Sequence, residues 1–455
     1  MKIKVQKLTI GAVLIAAASA FLFCSGFKKA SGYGNGENGY LKSATYYSDE
    51  WVINFWNSES NHMEEELKQI AEDGFNSIIL VVPWREFQPS MNPQRYNDYA
   101  WKKFDRVMEA AQRQNLKVML RVGYTWDYYS SDNVLERYEK LLYDDGTKRA
   151  WIQYAKRLYE RAAVHENFCG GFITWEDFWN FAENSVFYGS GLAGRKMASK
   201  CGYTQYVKEH YTLEELEEMY QDTFKTYEDV YLPDSLNTYS RKVFYQFYDD
   251  FLNKILAETQ AVFPDLSMEV RLDIDPVKRP DGTLEGVFHD ATFTCGSSGF
   301  TSAMYSVAMG FESNGQELSA AQALAGTGQN LDRLSAANGG KKLYVDQFLF
   351  TDNTPGFEQN AKLIGSEKSA YLDGVADIFK AKTLGYAIWT YRDYGDNKLY
   401  NPQFALDKQG WDFSSGSYIE ERDGNKMAVI PPFGKISQNI KKRSAGGNGK
   451  KAHVR

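Results

Sequence analysis

A short apolar run that ends in acids and indoles carries the clearest chemical signal in this sequence. In the segment 168–180, FCGGFITWEDFWN, two glycines lead into three uncharged residues, and Trp175, Glu176 and Asp177 follow at once. A carboxyl group held among apolar rings keeps its proton to a higher pH, so it can donate that proton to a leaving group. Glu176 is therefore the candidate catalytic acid.

Polar and aromatic residues also follow most of the other apolar runs. A single group of this kind is an ordinary start of a solvated loop, whereas a ring of them indicates a cleft for a polyhydroxylated ligand. Indole faces stack on the apolar faces of sugar rings, while polar side chains hydrogen-bond to sugar hydroxyls. The candidate stacking residues are Trp84, Trp126, Trp175, Trp179 and Trp389, and further candidates at run ends are Tyr305, Asp346 and Gln347.

Eight apolar, strand-like runs must position these residues, and helix-like segments follow most of them. Runs that are apolar on both faces indicate a buried parallel sheet, and eight of them favour closure into a barrel. The predicted fold is therefore α/β, a (β/α)8 TIM barrel whose reactive groups lie at the carboxyl ends of the strands. The predicted strands are 51–56, 77–82, 117–122, 172–174, 268–273, 303–307, 343–348 and 385–390.

The amino-terminal segment has the pattern of an export signal. Three lysines precede an uncharged apolar run over 8–27, which is long enough either to be a cleaved signal peptide or to remain as a membrane anchor. We therefore expect an extracytoplasmic protein that is secreted or membrane-anchored. The predicted organisation is a signal or anchor helix over 1–30, a linker over 31–50, the barrel over 51–412 with a helical insertion or lid over 181–238 after strand four, and a carboxyl-terminal extension over 413–455 that ends in a basic, disordered tail.

Composition excludes several other classes of protein. The net charge of −7 and the pI near 5.5 leave no basic footprint for nucleic acid. The five histidines and four cysteines show no metal-ligand spacing and no disulfide framework, so neither a metal nor a cofactor is expected. No Gly-x-Ser-x-Gly motif indicates a serine hydrolase.

The arrangement resembles the clan A glycoside hydrolases, a broad group of eight-stranded barrels that includes the family 5 cellulases and the family 2 enzymes. The resemblance covers residues 51–412 and includes the segment 388–394, IWTYRDY, which is similar to the clan's strand-eight segment. It implies that a glutamate after strand four is the acid/base and that a glutamate after strand seven is the nucleophile. Glu176 matches the acid/base, while Arg121, Tyr305 and Trp389 match supporting residues.

Two positions depart from the pattern of the clan. Trp175 precedes the acid/base where an asparagine is usual, and Gln347 stands where the strand-seven nucleophile is expected. A neutral amide cannot attack an anomeric carbon or stabilise an oxocarbenium ion as a carboxylate does.

Three interpretations follow from this departure. The register of strand seven is slipped by one residue and Asp346 is the second carboxylate, or the partner of Glu176 is Asp127, Asp177 or Asp273 at a wider, inverting separation. In the third interpretation the barrel binds carbohydrate without catalysis.

Glu176 and Asp177 also have structural interpretations. Glu176 could form a salt bridge with Arg121 or Arg392, and Asp177 could cap the next helix. The sequence as a whole predicts a glycoside hydrolase that acts on a poly- or oligosaccharide. The alternative is a catalytically silent barrel that serves in carbohydrate binding or polysaccharide assembly.

Overall fold

The barrel is built from eight parallel strands that follow one another around the sheet in chain order. The computed structural model describes residues 39–59, 62–125, 134–236, 238–264, 266–269, 275–287, 301–306, 316–337, 343–349, 361–392 and 399–438. The strands are β1 (Leu41–Tyr46), β2 (Ser77–Val82), β3 (Lys117–Val122), β4 (Phe168–Ile173), β5 (Leu266–Met268), β6 (Thr301–Ser306), β7 (Leu343–Leu349) and β8 (Thr383–Ile388).

Hydrogen bonds join each strand to the next from β6 through β8 to β1 and on to β5. The pairing is parallel throughout, and β2 runs in register with β3 from Ser77 opposite Lys117 to Val82 opposite Val122. The two ends of this sheet, β5 and β6, lie next to each other. Sequential parallel strands that return to their starting point form a (β/α)8 barrel, so the predicted fold class is confirmed.

The first strand lies earlier than predicted. Residues 51–56 were expected to form it, but α1 (Val52–Asn57) is a helix whose residues are all buried. β1 instead comes from the predicted linker, where it pairs with β8 on one side and β2 on the other. A short run that is apolar on every side does not distinguish a buried helix from a buried strand by its periodicity, which explains the error. The barrel therefore begins near residue 41.

Strand five is also shorter than predicted within the described part of the chain. It was expected over 268–273, whereas β5 ends at Met268 and residues 270–274 lie outside the described residues. Five other strands, β2, β3, β6, β7 and β8, begin and end within two residues of their predicted bounds. Strand β4 ends within two residues of its predicted end but begins earlier than predicted.

The barrel interior is filled by two successive layers of side chains. The lower layer is apolar except for the Tyr344 hydroxyl, which donates a hydrogen bond to Ser43 Oγ at 2.7 Å. Because strand side chains alternate between faces, the residue two positions further along each strand lies in the layer above. The lower layer comprises Leu41, Ile79, Met119, Phe172, Tyr344 and Ala387, and the upper layer therefore comprises Ser43, Val81, Arg121, Thr174, Asp346 and Trp389.

Helices cover the outside of the barrel. The helix α4 (Asp98–Arg113) shows how the sequence sets them. Asn97 accepts hydrogen bonds from the backbone N–H groups of Tyr99 and Ala100 at its start, and the buried residues follow a helical period. The remaining helices are α2 (Met63–Glu72), α3 (Trp84–Phe87), α5 (Val134–Lys140), α6 (Asp145–Ala162), α7 (Trp175–Asn184), α8 (Leu192–Cys201), α9 (Tyr203–His210), α10 (Leu213–Tyr220), α11 (Ser240–Gln260), α12 (Ala320–Ala337) and α13 (Lys368–Lys382).

Additional helices follow β4, and additional short strands follow β8. The segment 181–238, predicted as a helical insertion, contains α8, α9 and α10, and its role as a lid stays a prediction. After β8 the described chain forms two antiparallel strand pairs, Asp412–Phe413 with Ile436–Ser437 and Tyr418–Arg422 with Asn425–Val429.

The export segment 1–30 and the basic tail from 441 lie outside the described residues. Across the described ranges, no helix combines the length and apolar composition that a membrane crossing requires.

Removing β1 should prevent folding. A chain that starts at residue 51 loses the strand that joins β8 to β2, so the barrel opens and both neighbouring strands present unpaired edges. That loss exceeds a usual folding stability of about 5–15 kcal/mol. We expect no cooperative urea unfolding transition for the chain starting at 51 and a normal one for a control chain starting at 39. A cooperative transition for the shorter chain would contradict the assignment of β1.

Candidate active site

Arg121 lies at the centre of the upper layer and binds two acids of the next strand end. Its guanidinium donates from Nε to Asp177 Oδ2 at 3.0 Å and from Nη2 to Asp177 Oδ1 at 3.1 Å. The same Nη2 atom donates to Glu176 Oε2 at 3.1 Å. Arg121 is 3% exposed. A buried guanidinium with such partners is a fixed point from which both carboxyl groups are held.

The start of α7 explains why the two acids meet this arginine. Thr174, the last residue before the helix, accepts a hydrogen bond from the Asp177 backbone N–H at 3.0 Å and donates from its hydroxyl to Asp177 Oδ2 at 2.8 Å. This cap turns the chain from β4 into α7 within one residue. The Asp177 side chain thus points back under the helix toward Arg121, and the Glu176 side chain lies beside that of Asp177.

Asp177 is fully buried, so the structure does not support it as a second catalytic carboxylate. Its side chain is held by Thr174 and Arg121, and no part of it can reach a ligand. The predicted capping role is wrong in detail, because Thr174 provides the cap and Asp177 takes the third helical position.

Glu176 is the member of this group that is partly exposed to solvent. Its side chain is 26% exposed and forms its ion pair with Arg121. The alternative in which Glu176 forms a salt bridge with Arg121 is therefore correct as geometry. It does not remove the catalytic interpretation, since one face of the carboxyl group remains accessible to a ligand.

A third acid, Glu269, was missed by the sequence reasoning. It follows β5 directly, its backbone N–H donates to Ile173 O at 2.8 Å, and its side chain is completely buried. Its negative charge acts on Arg121. The signal was present in the sequence, because Glu269 is the first charged residue after the apolar end of that strand. Asp273, the acid expected at the end of this strand, lies outside the described residues.

One guanidinium is thus shared among three carboxyl groups. Burial, which disfavours the ionised form, raises the pKa of Asp177 to about 6, and the charge of Glu176 adds to the rise while Arg121 opposes it. Burial also disfavours the charged form of Arg121, but Asp177, Glu176 and Glu269 outweigh it and hold the pKa of Arg121 above its ordinary value. Arg121 therefore stays cationic, and Asp177 keeps its proton into weakly acidic solution.

A β-bulge in β7 places the two strand-seven candidates. Between Val345 and Phe348 the strand holds one residue more than β8 and β6 require. Val345 and Phe348 both pack against the helical layer. The two residues between them, Asp346 and Gln347, therefore both lie on the barrel side of the strand.

This geometry bears on the interpretation in which the register of strand seven is slipped by one residue and Asp346 is the second carboxylate. Asp346 is 2% exposed, and its charge helps burial to raise the pKa of Tyr344 in the barrel interior. The barrel side of strand seven thus offers a carboxyl group as well as the amide. The acids at 127 and 273, the other candidate partners of Glu176, lie outside the described residues.

The aromatic candidates divide into two groups. Trp389 is half-buried, and the Arg121 guanidinium carbon lies 5.7 Å from its ring centre and 5.5 Å from that of Tyr124. Trp51 and Tyr47 continue this aromatic wall, with ring-centre separations of 6.0 Å and 5.9 Å to Tyr124 and Trp389. Trp389 is placed where a stacking residue was expected, and Trp51 and Tyr47 were not foreseen.

Trp84 and Trp175 are not stacking residues. Trp84 has no exposed surface and packs edge-on against Trp151 at 5.2 Å. Trp175 is 1% exposed, and its indole N–H donates to Asp249 Oδ1 at 2.6 Å. Each ring belongs to the first residue of a helix, α3 or α7, that begins two residues after its strand, and it packs into the core from there. Trp126 and the side chains of Trp179 and Tyr305 lie outside the described residues.

Buried polar atoms at three strand ends face no described partner. They are the hydroxyl groups of Thr45 and Thr125 and the Oε1 atom of Gln347. A buried polar atom without a partner costs about 1–3 kcal/mol, so such atoms commonly mark a place that a ligand or water completes. Within the described ranges, no group of His, Cys, Asp and Glu side chains is arranged to hold a metal ion.

Comparisons with known proteins find structural likeness only. No family model and no curated protein matches the chain. An exo-beta-1,4-mannosidase from Opitutaceae bacterium strain TAV5 aligns with a TM-score of 0.48 at 11% identity, covering 84% of this chain and 57% of that one. A beta-galactosidase from the psychrophilic Marinomonas ef1 aligns with a TM-score of 0.49 at 12% identity, covering 77% and 54%.

An endoglucanase aligns with a TM-score of 0.42 at 11% identity, covering 81% of this chain and 96% of that one. This chain spans little more than half the length of the mannosidase and of the galactosidase. Likeness at this level gives no residue-level correspondence, so the function must be argued from the side chains at the barrel mouth.

Replacing Arg121 should destabilise the fold strongly. The Arg121→Met change removes the cation that the buried Asp177 and Glu269 share, and breaking a buried ion pair in this way typically costs about 3–5 kcal/mol. Arg161→Met is a matched control, because Arg161 pairs with Asp105 where both side chains are 31% exposed. There we expect a loss of at most about 1 kcal/mol. Equal losses in urea unfolding would contradict a central role for Arg121.

The pH dependence of stability should report on Asp177. Its pKa in the folded chain is raised, so between about pH 4 and pH 6 the folded state holds a proton that the unfolded state has released. The Asp177 contribution to the free energy of unfolding should therefore fall as the pH rises through this window, with a slope of up to ~1.4 kcal/mol per pH unit. Relative to Asp177→Asn, which cannot titrate, the wild type should lose stability across that range. A constant difference would contradict the raised pKa.

Proposed function

We propose that this protein is a glycoside hydrolase in which Glu176 is the general acid/base. The observation that carries the proposal is the position of Glu176. Its carboxyl group is partly exposed at the carboxyl end of β4, and Arg121 holds it in the same layer as Trp389. An accessible acid, a fixed cation and an indole face at one barrel mouth suit the cleavage of a bond between sugar rings.

Asp346 is the proposed second carboxylate. The alternation of β7 supports this role, because it sets Asp346 on the barrel side, two residues beyond the interior Tyr344. Protonated Glu176 donates its proton to the glycosidic oxygen as the bond to the anomeric carbon breaks. Asp346 either attacks that carbon, which gives retention, or takes a proton from an attacking water, which gives inversion. In the retaining case Glu176 then deprotonates the water that releases the sugar from Asp346.

The alternative function is a silent carbohydrate-binding or polysaccharide-assembly barrel. Gln347 favours it, since this residue also lies on the barrel side and its Oε1 atom meets no described hydrogen-bond donor. An amide oxygen can accept a hydrogen bond from a sugar hydroxyl but cannot replace a nucleophilic carboxylate. The two functions differ in the role of Asp346, and variants at both positions separate them.

The proposed location is extracytoplasmic, with the segment 1–30 as a signal peptide or membrane anchor. The lysines and the apolar run of that segment support this proposal. An enzyme held at the envelope in this way would trim an exported surface polysaccharide. The helical segment 181–238 is the proposed lid, because it follows the strand end at which Glu176 lies.

Carboxylate variants should abolish hydrolysis without unfolding the chain. With a panel of poly- and oligosaccharides, Glu176→Gln and Asp346→Asn should each lower kcat by at least about 10²-fold, the usual contribution of a general acid or base. Glu109→Gln on α4 is the control for a neutralised acid far from the mouth, and it should leave kcat unchanged.

The Gln347→Glu variant distinguishes the two functions. If the barrel is silent, the wild type forms no product from any glycan and this change restores the missing carboxylate, so hydrolysis appears only in the variant. If Asp346 is the second carboxylate, the wild type is active and Gln347→Glu does not raise its rate. Full activity in Asp346→Asn would remove Asp346 from the mechanism.

A further inference from the structure

A second concave site lies beside the loops that follow β2 and β3. It is a pocket with a volume of about 940 Å³, which lies in the range of about 300–1,000 Å³ that is usual for small-molecule sites. One wall follows β2 and includes Arg85 and the residues 89–94. The other includes α5 and the start of α6. None of its lining residues takes part in the Arg121 site.

The pocket is cationic in an acidic protein. Four basic and two acidic side chains line it, whereas the whole chain carries a net charge of −7. A concave surface of one sign concentrates the field and attracts ligands of the opposite charge. The charged lining residues are Arg85, Arg137, Lys140, Arg149, Glu136 and Asp144.

The two acids of the pocket are already engaged. Asp144 accepts hydrogen bonds from the backbone N–H and the hydroxyl of Thr147, both at 2.7 Å, and these bonds, with smaller contributions from Lys140 and Arg149, lower the pKa of its carboxyl group. Glu136 pairs with Lys140 one helical turn away, where both side chains are more than one-third exposed. Exposed pairs of this kind contribute little, so Lys140 can exchange Glu136 for a ligand anion.

Arg149 is the cation best placed to bind a ligand. It is exposed, and it forms no hydrogen bond or ion pair with any residue in the described ranges. A side chain at Gly146 would come within 3.9 Å of the Arg149 guanidinium and within 3.1 Å of the Asp144 carboxylate. Gly146 thus lies beside the guanidinium of Arg149 and the carboxylate of Asp144.

Arg137 supplies a rigid wall. It is 6% exposed, donates to the carbonyl oxygens of Gln88 and Pro89 at 2.6 Å each, and lies 5.4 Å from the ring centre of Trp84. Trp84 contacts Tyr138, which contacts Phe178 on the helix that carries Glu176. The pocket is thus separated from the acid/base helix by one buried aromatic layer, at the same end of the barrel.

We propose that this pocket binds an anionic sugar residue, bearing a carboxylate or a sulfate, of the glycan on which the barrel acts. The inference rests on the proposed function for the identity of the ligand as a glycan, and on the charge of the pocket for its anionic group. Guanidinium groups match the planar carboxylate and the sulfate through paired hydrogen bonds. Arg149 and Lys140 contact the anion, while Arg137 fixes the shape of the wall behind it.

Binding to defined oligosaccharides tests this proposal. Calorimetric titrations use the Glu176→Gln variant, so that no probe is consumed. The carboxylate probe is tetragalacturonate with its fully methyl-esterified form as the neutral match, and the sulfate probe is a carrageenan tetrasaccharide with its desulfated form. At least one anionic probe should bind about ten-fold more tightly than its neutral match, because only the anionic probe can form charge-assisted hydrogen bonds with the basic side chains of the pocket. Which of the two shows the preference identifies the anionic group.

Matched variants locate the binding. Added to Glu176→Gln, the Arg149→Gln and Lys140→Gln changes should each weaken the preferred anionic probe several-fold and leave its neutral match unchanged. Lys156→Gln is the control, because Lys156 also pairs with a glutamate one helical turn away, but outside the pocket. The proposal is overturned if neither anionic probe binds more tightly than its neutral match, or if Lys156→Gln weakens binding as much as Arg149→Gln.

Failure of the pocket proposal and failure of the proposed function give different results. Hydrolysis by the wild type is scored in a separate assay. If no glycan is hydrolysed but the charge preference depends on Arg149, the pocket is supported and the hydrolase proposal fails. If hydrolysis is found with no charge preference, only the pocket proposal fails.

Discussion

One buried guanidinium that binds two carboxyl groups, and is further stabilised as a cation by the charge of a third, is the constraint on which the rest of the barrel mouth depends. Arg121 stays charged because the charges of Asp177, Glu176 and Glu269 act on it, and Arg121 in turn opposes the rise in the pKa of Asp177. A buried charge without a partner costs several kcal/mol, so none of the four side chains can be removed alone without consequence. The hydrogen bonds of Arg121 join the ends of β3 and β4, and they leave Glu176 as the member that solvent can reach.

The alternation of side chains along the barrel strands places the residues of this site. Large apolar side chains fill the lower layer, and the pleat of each strand brings a second side chain to the same face two residues later. Arg121, Thr174, Asp346 and Trp389 share the upper layer for that reason. The apolar lower layer thus stabilises the barrel, whereas the polar and aromatic groups of the candidate site lie above it at the mouth. The bulge in β7 alters the alternation at one place and adds Gln347 to the barrel side.

Much of this could be predicted from the sequence because buried parallel strands read as runs without polar residues. β2, β3 and β7 were placed in this way, and Glu176 and Arg121 were identified as parts of the site. β1 was missed because its alternate residues are small and polar, as at Ser43 and Thr45. The helix over 52–57 was taken for a strand because tertiary packing buries all of its faces.

The remaining differences come from contacts between distant residues. Glu269 owes its importance to Arg121, which lies on another strand, and the bulge in β7 is defined only by the registers of both neighbours. Trp84 was expected in the cleft, yet it packs against Trp151 from a later helix. Period and composition describe one segment at a time, so they cannot place a side chain whose partner is far along the chain.

The most direct test of the account is a crystal structure of the Glu176→Gln variant with a bound oligosaccharide. The account predicts that the side chain at position 176 lies about 2.6–3.2 Å from a glycosidic oxygen, with one sugar ring against Trp389. It would be contradicted by a glycan seated across the barrel mouth with that side chain turned away from every glycosidic oxygen, or by a glycan bound only outside the mouth.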